Sequence, residues 1–161
     1  MPETIAGGHN QKPDHPVLKE MAKFWDYDSH FDEETRDRAK RSYFGLCSFL
    51  DDNIRQVLEA LEDSGSARDT VVIYITDHGE MLGNHGFWAK SVMYEDAVGI
   101  PLIMAGNEVP VGVNHTPVSL TDIAATVEGL VGLEVPKAKA PWQSRPLQSF
   151  INSPETERFI L

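Results

Sequence analysis

Val71, Val72, Ile73, Tyr74, Ile75 and Thr76 form an unbroken β-branched and aromatic run, and it stops at Asp77, His78, Gly79 and Glu80. Such a run reads as a strand buried on both faces, as in the interior of a parallel sheet. Two acids, an imidazole and a glycine cannot continue that burial, so the chain must leave the sheet at Asp77. Open α/β sheets bind their ligands at this edge. Asp77 and His78 are adjacent oxygen and nitrogen donors able to converge on one cation. Gly79 permits a tight turn, and Asn84, His85 and Lys90 follow within the same loop. The loop is the candidate active site. On spacing alone, Asp77 and His78 read equally well as a turn closed by a carboxylate hydrogen bond beside a surface histidine.

The rest of the chain narrows the classes. A length of 161 residues, 41% hydrophobic and 24% charged, suits one globular domain with a sizeable core. A formal charge of -11, from 14 Lys+Arg against 25 Asp+Glu, argues against a nucleic-acid partner, which needs a basic face. No stretch approaches the ~20 apolar residues of a membrane span, and residues 1–10 lack the basic and apolar regions of a signal peptide, so a soluble, cytoplasmic protein without a membrane partner is expected. The single Cys47 excludes an internal disulfide framework and a zinc site built from several cysteines.

Residues 1–30 are polar and irregular, with Gly7, Gly8, Pro13 and Pro16, and read as a wrapping segment in which Val17, Leu18, Met21, Phe24 and Trp25 offer something to bury. No spacing makes ligands of His9, His15 and His30, which read as surface or packing residues. From Phe31 the pattern turns helical. Asp32 can cap a helix whose first turn carries Glu33 and Glu34, favourable against the helix dipole. Tyr43, Leu46, Cys47, Leu50, Ile54, Val57, Leu58 and Leu61 recur at three- and four-residue steps, one apolar stripe on a helix of about eight turns that Ser64 and Gly65 end. Cys47 lies on this stripe and reads as a packed core thiol. Asp51 and Asp52, consecutive on the helix, diverge and form no catalytic pair.

After the loop, residues 100–105 read as a second strand, with Pro101 confined to its first residue or an edge. Ser119 and Asp122 suit a capping box that opens a helix running to about Leu130. A loop rich in proline follows, then a short apolar run at Leu147, Phe150 and Ile151. The apolar end Phe159, Ile160 and Leu161 reads as a strand cut short. The order helix, strand, loop, strand, helix, strand predicts an α/β fold with a largely parallel sheet.

Three stretches carry a family likeness: residues 43–51; Thr76, Asp77, His78, Gly79, Glu80, Met81, Leu82, Gly83, Asn84, His85, Gly86, Phe87, Trp88, Ala89 and Lys90; and Tyr94 and Glu95 followed by Ile100, Pro101, Leu102 and Ile103. Together they resemble the sulfatase family of the alkaline phosphatase superfamily, in particular its choline-sulfatase and phosphonate monoester hydrolase branch. The resemblance implies part of an alkaline-phosphatase-like α/β/α sandwich, residues 31–161 being the C-terminal part of the catalytic domain. It implies a metal-dependent hydrolase of small-molecule sulfuric esters in which Asp77 and His78 are two ligands of a single divalent metal and Lys90 contacts the sulfate. His85 is either a supporting catalytic-site residue that orients the loop or a packed histidine. Glu80 anchors the loop by hydrogen bonds rather than binding metal. The bland alternative for Lys90 is a solvated loop lysine.

One departure bears on activity. Sulfatases use a formylglycine made from a cysteine or serine in a C-x-P-S-R-like motif, together with acids near the start of the chain, and neither is present here. Cys47 is followed by Ser48, Phe49 and Leu50 on a helix and is not that residue. The chain therefore reads as one piece of a sulfatase, with the remainder of the sulfatase chain as its partner, inactive alone; a homo-oligomer is compatible with it. Two alternatives stand beside this one: a phosphonate or phosphodiester hydrolase of the same superfamily, and a non-catalytic truncated module. By ligand chemistry, an imidazole beside a carboxylate tilts the metal toward Mn²⁺ or Zn²⁺, while the resemblance keeps Ca²⁺ open, so Mn²⁺ or Ca²⁺ stands ahead of Zn²⁺ and Mg²⁺.

Overall fold

The computed structural model describes residues 12–107, 109–133 and 144–151. The chain divides into two compact units, Met1–Asn107 and Glu108–Leu161. No described helix is long and apolar enough to cross a membrane.

The first unit begins with α1 (Pro16–Trp25) and α2 (Tyr27–His30), where the sequence reads as irregular. The missed signal was local: Pro16 stands in the first turn, and the His15 side chain accepts the Val17 N–H at 3.3 Å as an N-cap. Leu18, Met21, Ala22 and Trp25 pack against a core of Met81, Phe87, Val92 and Ala97. His30 closes α2, and His9 lies outside the described residues.

The helix α3 (Glu33–Asp63) is 31 residues long. The Asp32 carboxylate accepts the Thr35 N–H at 2.8 Å, and Gly65, at φ +72°, receives the chain beyond the C-terminus. Both ends are where the cap residues put them. Its burial is not as expected: no residue of α3 is buried, and Cys47, read as a core thiol, is exposed. Periodicity specifies which face is apolar; along it Ile54 and Leu61 are half-buried, while Leu46, Leu50, Val57 and Leu58 are left exposed.

After a short 3₁₀ turn at Ala67–Asp69, β1 (Val72–Ile75) pairs with β2 (Leu102–Ala105), Val72 opposite Ala105 and Ile75 opposite Leu102. The pair is antiparallel, and no parallel pairing of the kind expected for a largely parallel sheet occurs among the described residues. The reason is where the connection travels. The Gly79 N–H donates to the Ala97 carbonyl at 2.9 Å, tying the exit of β1 to the short helix α4 (Glu95–Val98) that precedes β2. The chain re-enters the sheet from the edge by which it left, so it runs back. Pro101 sits immediately before β2, where its missing N–H costs no ladder bond. With one neighbour strand, β1 is half-buried along its length rather than enclosed on both faces.

In the second unit, α5 (Thr121–Leu130) opens with half of the predicted capping box: the Asp122 carboxylate accepts the Ser119 N–H at 2.9 Å, while Leu120 holds the cap position and no side chain caps the helix. The other Asp122 oxygen accepts the Arg145 N–H at 2.9 Å. The Thr126 hydroxyl accepts the Leu147 N–H at 2.9 Å, next to α6 (Gln148–Ile151). Asp122 and Thr126 are fully buried, and they anchor residues 145–147 to α5. The end at residues 159–161 lies outside the described residues.

Candidate active site

Asp77 and His78 occupy the two positions that follow the end of β1. The third position must be glycine, because a Cβ on Gly79 would collide with the Asp96 carbonyl. The Asp77 carboxylate accepts the His78 N–H at 3.1 Å and is open to solvent, with 77% of its side chain exposed. The His78 Nδ1 lies 2.7 Å from the Gly79 carbonyl. A carbonyl only accepts, so Nδ1 carries the proton and a neutral imidazole keeps its lone pair on Nε2. That Nε2 stands 3.6 Å from Asp77 Oδ2. Two donors bound at roughly 2.0–2.6 Å to one cation are separated by about this distance, so the pair suits a divalent metal. Among the described residues no third His, Cys, Asp or Glu joins them.

Desolvation pushes the Asp77 carboxyl up, but its own backbone N–H, His78 and the Lys90 ammonium outweigh that and hold it below the ordinary 3.8. Lys90, itself exposed, thus acts electrostatically on Asp77 across the loop.

The loop between them is held by its own backbone and by buried side chains. Glu80 Oε1 accepts the Leu82 N–H at 3.1 Å and the Ala89 N–H at 2.6 Å, the anchoring role read from the sequence. The Met81 N–H donates to the Ala89 carbonyl at 2.9 Å and the Gly83 N–H to the Phe87 carbonyl at 2.8 Å. Met81 and Phe87 are fully buried. Within this closed excursion Leu82, His85, Ala89 and Ser91 all take positive φ, a conformation that L-residues adopt only when their surroundings impose it. The backbone on both sides of Lys90 is therefore preset rather than free.

His85 stacks on Tyr94, ring centroids 4.0 Å apart and planes at 8°. A stacked ring is compatible with both readings of His85, loop support and simple packing. The sequence reading passed over an aromatic frame. Trp25 packs edge-on to Phe87 at 6.0 Å, Phe31 meets Trp88 at 5.5 Å, and the Trp88 ring lies close beneath Gly83. Its signal was the density of aromatics at Trp25, Tyr27 and Phe31 and again at Phe87, Trp88 and Tyr94.

The Sulfatase family profile matches residues 5–133. The chain is 34% identical over 110 residues to the choline-sulfatase of Rhizobium meliloti (strain 1021), covering 68% of this chain and 21% of that protein. Among solved structures, the phosphonate monoester hydrolase SpPMH from Silicibacter pomeroyi superposes with a TM-score of 0.69 at 30% identity, covering 80% of this chain and 25% of that one. BT4656, solved with its substrate D-glucosamine-2-N,6-O-disulfate, superposes with a TM-score of 0.54 at 28% identity, covering 65% of this chain and 21% of that one. The chain thus spans about a fifth to a quarter of the length of these proteins. With the profile matching most of its length and its loop built around Asp77 and His78, the chain belongs to the sulfatase family of the alkaline phosphatase superfamily.

Proposed function

We propose that this chain supplies one half of the active site of a metal-dependent sulfuric ester hydrolase. Asp77 and His78 bind the divalent ion, Mn²⁺ or Ca²⁺ ahead of Zn²⁺ and Mg²⁺, and Lys90 binds the sulfate group. The observation that carries the reading is the His78 ring: its Nδ1–H is committed to the Gly79 carbonyl, which leaves Nε2 as a ligand beside the Asp77 carboxylate. The ion, when bound, supplies positive charge where a sulfuryl oxyanion develops. Lys90 adds a second cationic contact to the same anion, and the preset loop backbone fixes where its side chain starts. His85, stacked on Tyr94, supports that backbone.

The nucleophile, a formylglycine, and the remaining acidic ligands belong to the part of a sulfatase domain that this chain does not match. In that whole domain, residues 31–161 form the C-terminal part of an α/β/α sandwich whose larger sheet is mostly parallel. The substrate is a small-molecule sulfate ester. The likeness to SpPMH supports a phosphonate ester hydrolase as the second reading, with the same metal pair and the same lysine.

Titrating the isolated chain with Mn²⁺ and following the free ion by electron paramagnetic resonance tests the ligand assignment. Weak binding that falls at least tenfold in Asp77→Ala and in His78→Ala is expected. Equal binding by all three proteins contradicts it. The isolated chain should hydrolyse aryl sulfates no faster than buffer; turnover that survives repurification and is lost in Asp77→Ala would show that the half-site reading is wrong.

A further inference from the structure

We infer, on the sulfatase reading above, that Trp88 is a positioning residue for Lys90: its indole, held against the Phe31 ring and the Cα of Gly83, fixes the point from which the lysine reaches the sulfate group.

The Lys90 side chain is exposed, and among the described residues no hydrogen bond or ion pair holds it. Its ammonium rides on a flexible four-carbon stem, so its reach is set by where the backbone starts it. That backbone is in an unfavourable state, because Ala89 and Ser91, on either side of the lysine, take φ of +58° and +89°. Both residues are exposed, so neither buries a side chain that could hold the arc in place. The bond from the Ala89 N–H to Glu80 is itself made in an exposed position, where water competes for both partners.

Trp88 is the first residue before the lysine whose side chain is packed, and it is half-buried. Its ring centroid stands 5.5 Å from that of Phe31, with the planes at 56°. Its Cζ2 and Cε2 atoms lie 3.2 and 3.4 Å from where a Cβ on Gly83 would stand. Gly83, at φ +88°, suits glycine on two counts, the backbone angle and the ring against it. Phe31 is the C-cap of α2, outside the loop, so the indole ties the loop to the start of the unit as well as to itself. The His85–Tyr94 stack closes a wider arc, with the lysine five residues from one ring and four from the other. Trp88 is two residues away. Misplacing a reacting contact by 1 Å can cost about a hundredfold in rate, so a shift of the chain at Trp88 is large enough to be read at the lysine.

The test is a double-mutant cycle between Trp88 and Lys90 in a full-length sulfatase that carries this segment, loaded with its divalent ion. The probe is inorganic sulfate, with its dissociation constant measured by calorimetry and the metal content of each preparation recorded. Trp88→Leu and Lys90→Ala should each weaken sulfate binding at least tenfold with metal content unchanged. The double variant should lie within threefold of Lys90→Ala, because an indole that acts through the lysine has nothing to act on once the ammonium is gone. Trp88→Phe, which keeps a ring, should lie within threefold of the parent. Parent affinity in Trp88→Leu overturns the inference. So does a double variant whose loss is the product of the two single losses, the mark of a packing residue that acts independently of Lys90. If Trp88→Leu does not fold, Phe31→Leu takes its place: sulfate binding at least threefold weaker with Lys90 present, and no further loss in Lys90→Ala, is expected, and parent affinity overturns the inference. Parent affinity in Lys90→Ala contradicts the lysine assignment and takes this inference with it, whereas weak binding by Lys90→Ala beside normal binding by Trp88→Leu removes the role of Trp88 alone.

Discussion

The Glu80 carboxylate accepts the Ala89 N–H at 2.6 Å, fastening the loop immediately before Lys90. The same oxygen holds Leu82, so removing it frees both sides of the excursion. Glu80→Ala should destabilise the first unit by about 1–2 kcal/mol, the worth of charge-assisted bonds discounted for their partial exposure to water. The amide protons of Leu82 and Ala89 should exchange at least tenfold faster in the variant. Unchanged exchange at both would mean that the loop is held by its buried side chains alone.

Gly79 tests whether the corner that follows Asp77 and His78 tolerates any side chain. Its Cβ position is taken by the Asp96 carbonyl, and its N–H is bonded to the Ala97 carbonyl. Gly79→Ala must push α4 away from β1, at a cost of about 1–3 kcal/mol for overpacking. A lowered urea midpoint at unchanged slope is the expected result. A midpoint equal to that of the parent would contradict the observed packing.

Acid should loosen the start of α3. The Thr35 hydroxyl and N–H hold the Asp32 carboxyl below its ordinary 3.8. A carboxylate depressed in the folded state stabilises it fully above the unfolded value, and that contribution disappears as the pH falls through the lower folded value. Helical circular dichroism should therefore be flat above about pH 5 and decline below about pH 4. Because Glu33 and Glu34 titrate in the same range, the informative quantity is the difference from Asp32→Asn, whose cap does not ionise. A parent and variant with superimposable acid profiles would remove Asp32 as the cause.

Much of this was readable locally. The ends of α3, the limits of β1, the place of Pro101 and the anchoring role of Glu80 all follow from residues within a few positions of one another, where capping and turn chemistry act. The direction of β2 was not readable. It depends on the bond between Gly79 and Ala97, eighteen positions apart, and no hydrophobic pattern encodes it. Cys47 was misread for a related reason: the three- and four-residue spacing marks its face as apolar and is silent on whether anything covers it. The left-handed backbone at His85 and Ala89 is equally invisible in residue types that ordinarily avoid it.

In the second unit, the fully buried Asp122 carboxylate bridges Ser119 and Arg145. Asp122→Ala leaves two N–H groups without their acceptor and should cost about 3 kcal/mol, with Asp122→Asn losing roughly half as much. Proton exchange at Arg145 and Leu147 reads the release of this segment from α5. Exchange as slow as in the parent would show that Thr126 holds it unaided.

The central claim is that His78 is a metal ligand of a sulfatase site, and the most direct test is the His78→Ala substitution in a full-length sulfatase that carries this segment. Metal content and sulfate-ester turnover should be measured on the same preparation. Loss of at least a hundredfold in turnover together with loss of the bound divalent ion is the expected result. Turnover and metal content both equal to those of the parent would contradict the assignment and leave His78 a bystander.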